Sequence, residues 1–104
     1  MAVTYRVVVR DLAVADLDDA AAYFKGIDSD LAKRFLDDFE RTTRRLDRFP
    51  FVGRQPYRGV HRIGLDVFPY HVYYRVVGQE VRIIAVLHNR RDPKTLQTVA
   101  AARH

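Results

Sequence analysis

The sequence predicts an α+β fold in the order β-α-α-β-β-β, a helical hairpin packed on one face of a mostly antiparallel, twisted sheet. Three observations predict it. The opening "TYRVVVR" (Thr4 to Arg10) alternates with period two. Two stretches before Pro50 repeat apolar residues at helical spacing. After Gly59 come three short runs rich in β-branched and aromatic residues. A chain of 104 residues with 48% hydrophobic content suits one domain, residues 1–104, with one core.

The elements follow in order. Tyr5, Val7 and Val9 face one way from the first strand and Arg6, Val8 and Arg10 the other. Asp11 stands where a helix N-cap is expected. Leu17, Ala20, Ala21 and Phe24 then form an apolar stripe, with Asp16, Asp18 and Asp19 in the early turns and Gly26 as the C-terminal stop. A second helix begins near Ser29 or Asp30. Its stripe is Leu31, Phe35, Phe39, Leu46 and Phe49, with Thr42 filling the gap. Lys33, Arg34, Asp37, Asp38, Arg41, Arg44, Arg45 and Asp47 read as its solvated surface, and Pro50 ends it. The short "GIDSD" joint makes the two helices a hairpin.

"PFVGRQPYRG" (Pro50 to Gly59) reads as a Pro/Gly loop. The strands "VHRIGLDV", "FPYHVYYRVV" and "VRIIAVLH" follow, the last two joined at "VGQE" with Gly78 at a positive-φ position. The tail from Arg90, "RRDPKTLQTVAAARH", reads as a turn and then a short or frayed helix. A turn centred on Gly78 and Gln79 pairs Val76 with Val81, Tyr74 with Ile83, Val72 with Ala85 and Tyr70 with Leu87. That apolar face is expected under the helices. The other face pairs Arg75 with Arg82, Tyr73 with Ile84, His71 with Val86 and Pro69 with His88. It is basic and aromatic, and no element is expected to cover it.

Charge is unevenly placed. Residues 1–49 hold nine Lys+Arg against ten Asp+Glu; residues 50–104 hold nine against three. The positive second half points to an anionic partner, nucleic acid or acidic protein. His71, Tyr73, Arg75, Arg82, His88, Arg90 and Arg91 form the expected target- or anion-binding cluster, since guanidinium groups clamp phosphate or carboxylate.

Other chemistries are poorly supplied. There is no cysteine, so no disulfide, thiolate metal site or cysteine nucleophile. The four histidines lack metal-ligand spacing, and His61 and His104 read as surface residues. No metal and no cofactor is expected: there is no phosphate-binding glycine motif and no G-x-S-x-G. The single serine, Ser29, reads as a helix cap. No apolar run is long enough to span a membrane, and the N-terminus lacks a signal-peptide layout, so a cytoplasmic location is expected.

Three segments carry a family likeness: "LAKRFLDDFERTTRRLDRFPFVGR" (Leu31 to Arg54), "FPYHVYYRV" (Phe68 to Val76) and "IIAVLHNRRDP" (Ile83 to Pro93). Together they resemble the RelE/ParE toxin superfamily over roughly Val3 to Lys94. The resemblance implies the toxin of a type II toxin–antitoxin system, also described as a plasmid stabilisation protein. ParE-like members inhibit DNA gyrase by binding, without catalytic residues of their own. RelE-like members are ribosome-dependent mRNA endoribonucleases. For a nuclease, the resemblance implies His71, Arg75, His88 and Arg91 as base, acid and phosphate clamp. "LHNRRDP" looks more like the ParE-type ending, and Glu80 and Lys94 lie away from the candidate face. A ParE-like toxin is therefore expected, in a hetero-oligomer with a ParD-like antitoxin whose acidic C-terminal segment neutralises it. Operator DNA would be reached indirectly, through that antitoxin.

Overall fold

The computed structural model describes residues 3–91 and 93–104. Arg6–Val9 forms β1, and the chain turns straight into α1, Asp11–Ile27. Asp11 is a first-turn carboxylate facing the helix dipole and not the cap; Arg10 holds the cap position without a side-chain bond. Gly26 does not stop the helix, which runs through it to Ile27. The joint to α2 (Ser29–Arg44) is the single extended residue Asp28, φ −162° and ψ 128°. Its N–H donates to the Phe24 carbonyl at 2.9 Å, and its carboxylate accepts from the Asp30 N–H at 2.9 Å. One residue thus ends one helix and caps the next.

After α2, a 3₁₀ turn (Arg45–Asp47) leads toward Pro50. β2 (Arg54–Tyr57), β3 (Val60–Gly64), β4 (Tyr70–Val77) and β5 (Glu80–His88) complete a five-stranded sheet ordered β1-β5-β4-β3-β2. β1 runs parallel to β5 and the other pairs are antiparallel. The expected loop at Pro50–Gly59 therefore contains a strand. Pro56 is tolerated because β2 is an edge strand. Gly59 and Gly78 occupy the two hairpin turns at φ 73° and 59°, where a side chain is rarely accommodated.

The core lies between the helical pair and the sheet. Ala13, Ala20, Phe35, Phe39 and Leu46 meet Phe68, Val72, Tyr74, Val81, Ile83 and Val86. Phe24, Phe35, Phe68 and Tyr70 pack as an aromatic group with centroid separations of 5.0–6.1 Å. The expected stripe of Leu31, Phe35, Phe39, Thr42 and Leu46 faces the core, with two departures. Phe49 is 63% exposed, whereas Asp38, expected in solvent, is 1% exposed.

Two corrections reshape the far face of the sheet. The β4–β5 register holds as expected for Val76–Val81, Arg75–Arg82 and Tyr74–Ile83, but a bulge follows. Beyond it Tyr73 pairs Ala85, Val72 pairs Val86, His71 pairs Leu87 and Tyr70 pairs His88. Ile84 is the extra residue, so every later β5 side chain changes face. Secondly, the tail forms α3, Pro93–Ala102. Its Leu96 and Val99 pack on Val60, Tyr73, Ile84, Ala85 and Leu87. The face expected to be open carries a second apolar cluster beneath a helix.

Candidate functional site

The seven candidate residues start on two strands and the loop after them, and the bulge divides them. His71, Tyr73 and Arg75 alternate on β4 and share the face opposite α1 and α2. Tyr73 is only 5% exposed, so its ring is a core group and not an open contact. Arg75 crosses from Arg82, as the register requires, yet neither guanidinium waits for an external anion. Arg82 donates to Glu80 at 2.6 Å, and Glu80 also accepts from Arg6 at 2.9 Å. These two bonds, Arg82's first, hold the Glu80 carboxyl below its ordinary pKa. Arg75 donates to the Arg103 carbonyl at 3.1 Å and the Gly59 carbonyl at 3.4 Å.

His88 lies elsewhere. Past the bulge it shares the helix-side face with Val86 and stands edge-on to Tyr70 at 5.1 Å. It lines a cleft with Asp16, Asp19, Tyr23, Tyr70 and Arg91. Its Nδ1 accepts from the Arg90 N–H at 3.1 Å. Burial pushes the Tyr70 hydroxyl above its usual pKa, an effect that Arg91 opposes. Arg90 and Arg91 are exposed in the loop after β5. The structure thus brings His88 and Arg91 together on one side of the sheet and leaves His71 and Arg75 on the other. The set His71, Arg75, His88 and Arg91 does not converge on one point.

His71 keeps different company. Its Nδ1 is hydrogen-bonded to Asn89 Oδ1, and burial, reinforced by Arg62, holds its pKa below the usual 6.5 despite the Asn89 bond. The imidazole lines a hollow with Val52, Gly53, Arg54, Arg62, Ile63 and Gly64. Arg54 and Arg62 are directly paired across β2 and β3. Neither is among the site residues expected from the sequence, where Arg54 reads as loop. The alternation of "VHRIG" does put Arg62 on the same side as Gly64. His61 is half-buried on the opposite side, stacked on Tyr74 at 5.2 Å, and is not a plain surface residue.

Among the described residues, no helix is long and apolar enough to cross a membrane. No curated protein sequence matches the chain. Among solved structures, the chain is similar to one from the chromosomal ParDE toxin–antitoxin system of P. aeruginosa. The TM-score is 0.74 at 21% identity, covering 82% of this chain and 96% of that one. The family model described as ParE toxin of type II toxin-antitoxin system, parDE, matches residues 7–93, nearly everything from β1 to the start of α3. The chain belongs to the ParE toxin family of type II toxin–antitoxin systems.

Proposed function

We propose that this chain is a toxin that inhibits DNA gyrase by binding it and is held inactive by a cognate antitoxin. The observation that carries the reading is the family match over residues 7–93. The site geometry supports it against ribosome-dependent mRNA cleavage. Attack by a 2′-oxygen needs a base, an acid and a clamp around one phosphate. Here a bulge turns His88 away from His71, and Arg75 is engaged by carbonyl oxygens. Binding without covalent chemistry asks for none of that convergence. The antitoxin is a ParD-like protein with an acidic segment that folds on the toxin surface, matched to the positive second half of the chain. The complex is a hetero-oligomer in the cytoplasm, and the antitoxin carries it to operator DNA.

The test is a supercoiling assay with purified gyrase, run beside translation of a reporter mRNA on ribosomes. Loss of supercoiling with intact mRNA is the expected result, reversed by adding the antitoxin. Cleaved mRNA with normal supercoiling overturns the reading. In that event His71→Ala and Arg91→Ala report whether the nuclease residues are those implied by resemblance.

A further inference from the structure

The hollow beside His71 gathers positive charge that no carboxylate among the described residues offsets. Arg54 and Arg62 sit opposite each other across β2 and β3, a like-charge pair that destabilises a ladder. The other such pair, Arg75 and Arg82, is offset internally by Glu80 and by backbone carbonyls. Among the described residues neither Arg54 nor Arg62 takes part in an ion pair. No carboxylate lines the hollow.

Register explains why these groups share one space. Arg62 lies between Arg54 on β2 and Tyr73 on β4, so the three make one row across the sheet. Gly64 and His71 make the next row on the same face. Because Gly64 has no side chain, space remains beside the imidazole. A Cβ built there stands 3.5 Å from His71 Nε2, in ordinary contact and without a clash. The hollow measures about 270 Å³. That is below the roughly 300–1,000 Å³ of pockets that enclose a drug-sized ligand, so it suits one charged group of a larger molecule.

We propose that Arg54, Arg62 and His71, around the space left by Gly64, form a binding site for a phosphate group. A planar carboxylate is satisfied by one guanidinium fork. Three donor-bearing side chains from three strands suit a tetrahedral oxyanion, whose oxygens point in different directions. Asn89 Oδ1 accepts from Nδ1–H and leaves Nε2 toward the hollow as the atom that gains a proton. Binding is then coupled to proton uptake by His71. The charged groups lining its hollow are Arg54 on β2 and Arg62 on β3; Asn89, after β5, is neutral, and Tyr73 is its neighbour on β4. The site stands on this geometry and not on the gyrase reading.

The experiment follows the histidine ring signals of the full chain by NMR at constant ionic strength, with inorganic phosphate as the probe and chloride as the control. Phosphate is expected to shift the His71 signals saturably and to raise its titration midpoint by about half a pH unit or more, leaving His104 unmoved. Arg62→Gln weakens binding about tenfold or more. Gly64→Ala does the same with every charge retained, because its methyl, 3.5 Å from His71 Nε2, takes the place beside the imidazole where a phosphate oxygen would stand. Arg82→Gln, whose charge is already taken by Glu80, leaves binding unchanged. A short single-stranded oligonucleotide that gives the same His71 response at lower concentration assigns the phosphate to a nucleic-acid backbone. A stronger response to free phosphate assigns it to a small phosphate compound. An equal response to chloride overturns the site, as does a phosphate response that survives both Arg62→Gln and Gly64→Ala in folded protein.

Discussion

Asp38, in the middle of α2, accepts a hydrogen bond from the backbone N–H of Phe68 at 2.9 Å. The same carboxylate accepts from Val67 at 2.9 Å and Asp66 at 3.2 Å, and pairs with Arg41 at 3.0 Å. A buried charge thus fixes the irregular segment between β3 and β4 and sets Phe68 into the aromatic group of the core. Asp38→Ala leaves these donors without their acceptor, and about 2–4 kcal/mol of stability is expected to be lost. Urea unfolding of the two proteins measures it. A loss below about half a kcal/mol is the size of a surface change and rules out this role.

The same contact predicts an acid-sensitive fold. Burial pushes the Asp38 carboxyl up, but the Phe68, Val67 and Asp66 N–H groups and Arg41 outweigh it and hold the pKa below 3.8. A carboxyl depressed on folding stabilises the protein above its unfolded pKa and loses that contribution as pH falls through the folded one. Stability is therefore expected to fall below about pH 4, and Asp38→Asn to flatten that fall. Glu80 shifts in the same direction, so the difference between wild type and Asp38→Asn isolates Asp38. Parallel curves for the two proteins between about pH 4 and pH 2 contradict the assignment.

How much was legible in the sequence differs by element. β4 alternates cleanly, so the faces of Val72 and Tyr74 against His71 and Arg75 could be read directly. β5 could not be read past Ile83. Ile83, Ile84, Ala85, Val86 and Leu87 are buried on both faces, and a run apolar at both parities has no period in which a bulge can show. Simple alternation therefore puts His88 on the outer face, and the bulge puts it on the helix side. β2 was hidden by Pro56, which suits an edge strand but reads as a loop. Two features of the sequence do point to the observed arrangement. Asp38 falls within the stripe of Phe35, Phe39 and Thr42, where only a satisfied carboxylate belongs. Leu96 and Val99 are three apart after Pro93, the pattern of a helix covering the apolar residues of the outer face.

Two glycines should respond oppositely to alanine. A Cβ at Gly53 would stand 2.6 Å from Tyr74 Oη and 2.8 Å from the Arg62 carbonyl oxygen. Tyr74 Oη accepts from the Gly53 N–H at 3.0 Å, so either the bond or the β3 backbone must give way. Gly53→Ala is expected to cost about 1–3 kcal/mol, the usual penalty of overpacking. Gly26 lies inside α1 with nothing within 4 Å of a built Cβ. Gly26→Ala should stabilise by up to about 1 kcal/mol through helix propensity, less for its place in the last turn. Thermal melts of the two variants should move in opposite directions, and a shared direction contradicts the packing described for both sites.

α3 is fastened in large part by a residue just past its end. Its own apolar grip rests on the partly buried Leu96 and Val99, while Arg103, just past its end, donates to Asp16 at 2.7 Å and to the Ile84 carbonyl at 2.9 Å. Asp16 also accepts from the Val86 N–H at 3.0 Å. β1 pairs β5 only as far as Ile83, so the backbone groups of Ile84 and Val86 at the bulge are satisfied by these two side chains. The ion pair is largely buried, at 16% and 14% side-chain exposure, so salt should weaken it little. Arg103→Ala is expected to cost about 1–3 kcal/mol and to speed amide exchange along α3. Asp16→Asn should loosen α3 in the same way but disturb β5 less than Asp16→Ala, because its amide oxygen can still accept from Val86. If exchange in α3 is unchanged by Arg103→Ala, the helix is held by its apolar contacts and by the Arg75 bond to the Arg103 carbonyl, and the fastening role assigned to the Arg103 side chain is wrong.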